Sequence, residues 1–196
     1  MHGQGNLAFI HPLPRRPDRP ERIFTGVLPD AATARSIDAL RWRLVDDLGL
    51  EGSQIPARRL HISLHHLCDD RRVRPKYAYG TGQAAAEIVA APFEVVFDSL
   101  ETFRPPPGRE YKRPTVLRGG SAELTELQRA LGAALQRQNL RGGTRFKAHI
   151  TLCYGPKAVI RQAIEPIRFR VDNFVLIHSE RGLGRYNILG RWALTG

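Results

Sequence analysis

Cysteine is nearly absent from this 196-residue chain. Two residues, Cys68 and Cys153, are too few for a disulfide framework, and their surroundings match none of the usual zinc spacings. Acidic side chains are also scarce: 19 Asp and Glu stand against 30 Lys and Arg, a formal charge of +11. That imbalance says little about fold but favours polyanionic partners such as nucleic acid or nucleotides. No apolar run approaches the ~18 residues of a membrane-spanning helix. Nor do the opening residues show the apolar stretch and cleavage site of a signal peptide, so a cytoplasmic, reducing setting is expected. What is present is a core: hydrophobic residues make up 42% of the chain, enough for one compact domain.

The sequence divides into a Pro- and Arg-rich tail over residues 1–21 and a single folded domain over 22–196. Arg22–Leu28 is β-rich and stops at Pro29. Asp30 then caps a helix whose apolar positions Ile37, Leu40, Leu44 and Leu48 recur at helical spacing, closed by Gly49. A polar loop leads to Arg59–Leu67, a short β-like run carrying His61, Ser63 and His65 at alternate positions. The second half repeats this plan. Thr115–Leu117 precedes Gly119 and Gly120, and Ser121 caps a helix with Leu124, Leu127, Leu131 and Leu135 on one face. Then Phe146–Tyr154 carries His149 and Thr151. Asp30 precedes His61 by 31 residues and Ser121 precedes His149 by 28, so the chain contains an internal duplication.

The remaining segments complete an α+β pattern. Pro75–Ala91 is Ala-rich and helical from about Tyr79, and Phe93–Phe103 alternates as a strand. Asp172–Glu180 and Gly184–Leu194 form two strands around Arg181-Gly182-Leu183. The expected fold has two pseudo-symmetric lobes, each a mostly antiparallel sheet backed by helices, with a cleft between them. Trp42 and Trp192 are expected in the core.

The duplicated motifs are Leu60-His61-Ile62-Ser63-Leu64 and Ala148-His149-Ile150-Thr151-Leu152. On a strand, residues two apart face the same side, so each imidazole shares a face with a hydroxyl while the aliphatic neighbours turn inward. Across a two-fold cleft, two imidazoles and two hydroxyls could converge on one anion. Histidine has a pKa near 6.5, so one ring can act as base while the other, protonated, acts as acid. Ser63 and Thr151 would bond the non-bridging phosphate oxygens. This scheme needs no metal and no cofactor, and it predicts a bell-shaped pH profile and rings roughly 6–8 Å apart.

These paired motifs are accompanied by Arg22-Ile23-Phe24, Arg113-Pro114-Thr115-Val116-Leu117 and Arg185-Tyr186 with Gly190-Arg191-Trp192-Ala193-Leu194. Together they resemble the 2H phosphoesterase superfamily, and within it the bacterial RNA 2′,3′-cyclic phosphodiesterase, or 2′-5′ RNA ligase-like, family. The resemblance spans about Arg22 to Thr195. It implies a bilobal fold and metal-free hydrolysis of a 2′,3′-cyclic phosphate to a 2′-phosphate, with joining of RNA ends through a 2′-5′ bond as the near-reverse. It places the catalytic pair on His61 and His149 and the phosphate-binding hydroxyls on Ser63 and Thr151. It also favours His149 as base toward water and His61 as acid toward the leaving oxygen. The chain departs from the family pattern at Ala148, where a proline is common, and at His65 and His66, which replace an aliphatic or aromatic pair.

Alternation places His65 with His61 and Ser63 at the cleft edge, His66 toward the core, and Cys153 on the face of His149, although a small buried thiol is the role expected for it. Arg113, Arg145, Lys147 and Arg185 are candidates to hold RNA phosphates, and Tyr154 and Tyr186 candidates to stack on a base. The expected partner is RNA or a nucleotide ending in a 2′,3′-cyclic phosphate, bound by a monomer with no membrane and no metal. A zinc site at His61, His65, His66 and Cys68 is disfavoured because a strand splits them between two faces. Two other readings use the same cleft: non-catalytic RNA capture, and hydrolysis of another cyclic phosphate such as one derived from ADP-ribose.

Overall fold

The computed structural model describes residues 21–70, 72–105, 107–108, 111–143 and 145–196; all but the last residue of the Pro- and Arg-rich tail lies outside them. That last residue, Glu21, begins strand β1 (Glu21–Val27). Asp30 then caps helix α1 (Ala31–Leu48), its carboxylate accepting from the backbone N–H of Ala32 at 2.8 Å and of Thr33 at 2.9 Å. Such a cap is worth about 1 kcal/mol. The helix ends at Gly49, whose φ of 57° is left-handed, a conformation glycine adopts without steric cost. A two-residue strand β2 (Ser53–Gln54) and a 3-10 turn at Ala57–Arg59 lead into β3 (Ile62–Asp70).

Helix α2 (Pro75–Ala86) starts four residues earlier than the Ala-rich pattern suggests, because Pro75 occupies the first turn, where its missing N–H costs nothing. Strand β4 (Phe93–Thr102) and β5 (Arg113–Gly120) follow. Ser121 caps α3 (Ala122–Arg137) through the N–H of Leu124 at 3.2 Å, and Leu124, Leu127, Leu131 and Leu135 are buried as the periodicity requires. Then come β6 (His149–Gly155), β7 (Gln162–Val171), β8 (Asn173–Glu180) and β9 (Arg185–Ala193).

Strand β7 has no counterpart in the sequence pattern. It contains Pro166 and is exposed along most of its length. It lies at the edge of the sheet beside β4, where a proline's missing donor can face solvent.

The strands form one nine-stranded sheet, in the order β7-β4-β5-β6-β3-β1-β8-β9, with β2 paired on β6. Every pairing among the described residues is antiparallel. The order is palindromic about the β6–β3 junction: β5 mirrors β1, each followed by a capped helix, and β4 mirrors β8. The expected two lobes are thus halves of one continuous sheet. Strands β3 and β6 meet through one residue pairing, Ile62 with Ile150, both fully buried, and β2 adds Ser53 with Tyr154 and Gln54 with Cys153.

The main core gathers Ile37 of α1, Ala84 of α2 and Leu131 of α3 with Ile62, Leu117 and Ile150 of the sheet. A separate small cluster of Phe24, Val175 and Ile177 packs with Leu28 and Tyr186. Trp192 stacks on Phe174 at 5.4 Å. Trp42, expected in the core, is instead 53% exposed with the Arg41 guanidinium over its ring; it falls on the solvent side of α1, opposite Ile37 and Leu44.

Candidate active site

The register through Ile62 and Ile150 builds the site. Carried one residue either way along two antiparallel strands, it sets His61 alongside Thr151 and Ser63 alongside His149. Since Ile62 and Ile150 turn into the core, these four flanking side chains turn the other way. The two imidazoles are therefore diagonal neighbours, with Cβ atoms roughly 7–8 Å apart. All four line a cleft of about 590 Å³.

Each ring is held in the same manner. His61 Nδ1 lies 2.8 Å from the carbonyl oxygen of Arg59, and His149 Nδ1 lies 2.6 Å from that of Lys147. A carbonyl only accepts, so Nδ1 carries the hydrogen in both and Nε2 is left as the basic atom. An aromatic ring buttresses each: Phe24 at 4.9 Å from His61 and Phe103 at 5.1 Å from His149. Tyr186 meets the His61 ring edge-on at 5.5 Å, and Arg59 lies over Tyr186 at 4.9 Å.

Burial disfavours the charged form of both imidazoles. It pushes His61 down to about 4, against the pull of the Arg59 carbonyl and with help from His149 and the Arg59 charge. It also lowers His149, where Arg118 adds repulsion. Burial thus favours the neutral form of both rings. A phosphate anion between them would favour protonation of one.

Three of the alternation-based facings fail, and for one physical reason. The β1–β3 register jumps from Thr25 opposite His65 to Gly26 opposite Ser63, leaving Leu64 as an extra residue. The β5–β6 register jumps in the same way from Thr115 opposite Cys153 to Val116 opposite Thr151, leaving Leu152 extra. Each bulge reverses the facing of the residues beyond it. His65, expected at the cleft edge, is therefore buried at 2% exposure. There its backbone N–H donates to Thr25 Oγ1, its Nε2–H donates to the carbonyl of Gln128 at 2.7 Å, and its Nδ1 accepts from the N–H of Gly143 at 3.0 Å. His66, expected toward the core, lines the cleft instead. Cys153 is buried at 1% exposure rather than facing with His149, and Tyr154 takes the cleft position. His66 and Tyr154 are thus duplicate positions, each three residues beyond its motif's hydroxyl.

Among the other candidates, Tyr186 lines the cleft, whereas Arg113 and Arg185 are not among its lining residues. Arg113 starts β5 opposite Gly155, and Arg185 pairs with Glu180 at 3.4 Å. Arg145 and Lys147 are exposed; Lys147 contributes its carbonyl to His149. The cations that do line the cleft are Arg22, Arg59 and Arg181; Arg22 stands in the Arg22-Ile23-Phe24 motif, but none of the three is among the candidates to hold phosphate. For Arg22 a signal existed, since it lies two residues before Phe24 on the same strand face. Among the described residues the cleft lining contains no carboxylate. With three guanidiniums, three imidazoles and several hydroxyls, it suits an anion. No group of three or more His, Cys, Asp or Glu among the described residues is placed to hold a metal ion, and no helix there is long and apolar enough to cross a membrane.

Palindromic halves with one His-x-hydroxyl strand each, meeting at a cleft whose described lining carries no carboxylate, have the architecture of the two-histidine phosphoesterases. The family model of the 2′-5′ RNA ligase superfamily matches residues 28–183, and the chain belongs to that superfamily. The structure of Escherichia coli LigT complexed with 3′-AMP superposes with a TM-score of 0.69 at 25% identity, covering 90% of this chain and 99% of that one. TT0787 of Thermus thermophilus superposes with a TM-score of 0.69 at 21% identity, over 89% and 98% of the two chains. A structure described as a phosphoesterase gives 0.65 at 24% identity, over 90% and 99%. No curated protein matches by sequence.

Proposed function

We propose that this protein hydrolyses the 2′,3′-cyclic phosphate of RNA ends or nucleotides to a 2′-phosphate, without a metal or cofactor. The diagonal placement of two imidazoles beside two hydroxyls, in a cleft whose described lining carries no carboxylate, carries this reading. The neutral ring takes a proton from the attacking water as its oxygen bonds to phosphorus. The protonated ring donates its Nε2–H to the departing 3′-oxygen as that P–O bond breaks. Ser63 and Thr151 donate to the non-bridging oxygens, whose charge rises on the way. Following the family resemblance, His149 acts as base and His61 as acid; in joining ends through a 2′-5′ bond a 5′-hydroxyl would take the place of the attacking water, with the proton transfers in the same direction. Structures of LigT with 3′-AMP, with ATP and with NADP+ support a nucleotide as the occupant.

The test is hydrolysis of adenosine 2′,3′-cyclic phosphate in EDTA, with the product identified by chromatography. The expected product is adenosine 2′-phosphate, at a rate the chelator leaves unchanged and that His61→Ala and His149→Ala each lower by about 10²–10⁴-fold. Salt-sensitive RNA binding with no turnover of any cyclic phosphate would replace this reading with capture alone.

A further inference from the structure

The first half of the cleft carries a cation cluster that the two-histidine chemistry does not use. Asp69, near the end of β3, takes Arg22 on both oxygens, Nε to Oδ1 at 2.8 Å and an Nη to Oδ2 at 2.9 Å. His66 Nε2 reaches the same Oδ1 at 3.1 Å, and Arg181, on the β8–β9 turn, lies 3.7 Å from Oδ2. One carboxylate thus gathers three groups that all line the cleft. Arg22 foremost holds that carboxyl well below the usual range, so Asp69 stays ionised and orients its partners.

The neighbouring carboxylates are engaged elsewhere: Glu21 on His178, Asp70 on Arg74 and Glu180 on Arg185. Two guanidiniums and an imidazole on one carboxylate leave excess positive charge. Arg22 spends only two of its five N–H groups on Asp69. The side chains remain partly open, at 42% for Arg22, 40% for His66 and 33% for Arg181.

The position is set by the bulge. Along the cleft face of β3 the order is His61, Ser63, then His66, with the extra Leu64 absorbed in between. The cluster therefore begins within about 10 Å of the hydroxyl that would hold the reacting phosphate. We propose that Arg22, His66 and Arg181 form a second anion subsite, which binds a phosphoryl group on the 5′-oxygen of the ribose whose 2′,3′-cyclic phosphate reacts. This rests on the function proposed above and narrows its substrate class. A bare nucleoside cyclic phosphate lacks the second anion. An RNA end supplies it as the preceding phosphodiester, and a pyrophosphate-bearing nucleotide supplies it as a phosphoanhydride.

The experiment compares kcat/KM for adenosine 2′,3′-cyclic phosphate with that for the same compound carrying a 5′-phosphate. A charge-assisted contact predicts a preference of about tenfold for the second compound. Arg22→Gln and Arg181→Ala should each shrink that ratio, Arg181→Lys should restore part of it, and Arg129→Ala on the far surface of α3 should not change it. Arg181 sits on a turn, so its variants stay informative if Arg22→Gln disturbs the β1–β3 pairing. A diadenosine ending in a cyclic phosphate and a 5′-diphosphate compound identify the source, since each supports the subsite and the faster one names it. A wild-type ratio near one, or a ratio indifferent to both arginines while hydrolysis continues, overturns the subsite and leaves the proposed function standing. If neither compound is hydrolysed the proposed function fails. Calorimetric binding of the 5′-phosphorylated compound then decides the subsite: weaker binding in both variants supports it, and equal or absent binding overturns it.

Discussion

Ile62 and Ile150 face each other across the junction of the two half-sheets, fully buried, in the single pairing that joins β3 to β6. The catalytic register rests on this pair, because each isoleucine is flanked by the histidine of its own motif on one side and the hydroxyl on the other. Packing behind the sheet thus sets the distance between the two imidazoles in front of it.

Ile150→Ala should therefore cost both stability and alignment. Removing a buried isoleucine down to alanine destabilises by about 2–5 kcal/mol, read as a lower urea midpoint. Ile150→Val should cost about 1 kcal/mol and keep most of the activity. An alanine variant with full activity and unchanged midpoint would separate the junction from the site.

The two histidines should act as a unit. His61→Ala and His149→Ala are each expected to lower kcat by about 10²–10⁴-fold, and the double variant should be little worse than either single one. Steady-state kinetics on a cyclic nucleotide checks this, and multiplicative losses would point to independent roles.

Activity should depend on pH in a way that the burial of the rings dictates. The proposed mechanism needs one cationic ring, yet burial lowers both in the free protein, His61 to about 4. The kcat/KM optimum should then fall on the acidic side of the ordinary histidine value, while bound phosphate, which favours the imidazolium, should move the kcat optimum upward. Folding stability follows the same linkage. Depressed folded-state values mean that the unfolded chain binds protons first, so stability is intact above about 6.5 and declines as pH falls toward about 4. His61→Phe should flatten part of that decline in thermal melts.

His65 is expected to be structural. His65→Leu would remove the ring's bonds to the Gly143 N–H and to the Gln128 carbonyl, which keeps its helical partner, at about 1–3 kcal/mol in all. Gly132 packs against the same ring, where an added Cβ would stand 2.7 Å from its Cε1, so Gly132→Ala should destabilise by the same route. Denaturant melts of the two variants and of their double should show less than additive losses.

Much of this was legible in the residues. Asp30, Gly49 and Ser121 marked helix boundaries through local chemistry alone, and two His-x-hydroxyl strands at similar distances from their helix caps disclosed the duplication. Strict alternation failed where a long-range partner imposed a bulge. Nothing local to Leu64 or Leu152 shows that β1 and β5 each carry one residue fewer at those points, so His65 and His66 were assigned to opposite faces from those they occupy. The cations of the cleft were hidden for a similar reason. Arg22, Arg59 and Arg181 come from three separate elements, and only the order of strands in the sheet brings them together. Strand β7 was masked by Pro166, which an edge tolerates and a central strand does not.

The most direct measurement of the central claim is an NMR titration of the His61 and His149 ring signals with adenosine 2′-phosphate. The account predicts that both sets of signals move together along one binding curve, and that an imidazolium forms at a higher pH in the bound state than in the free one. Movement of one ring alone, or two curves with different affinities, would contradict convergence of the two histidines on a single phosphate.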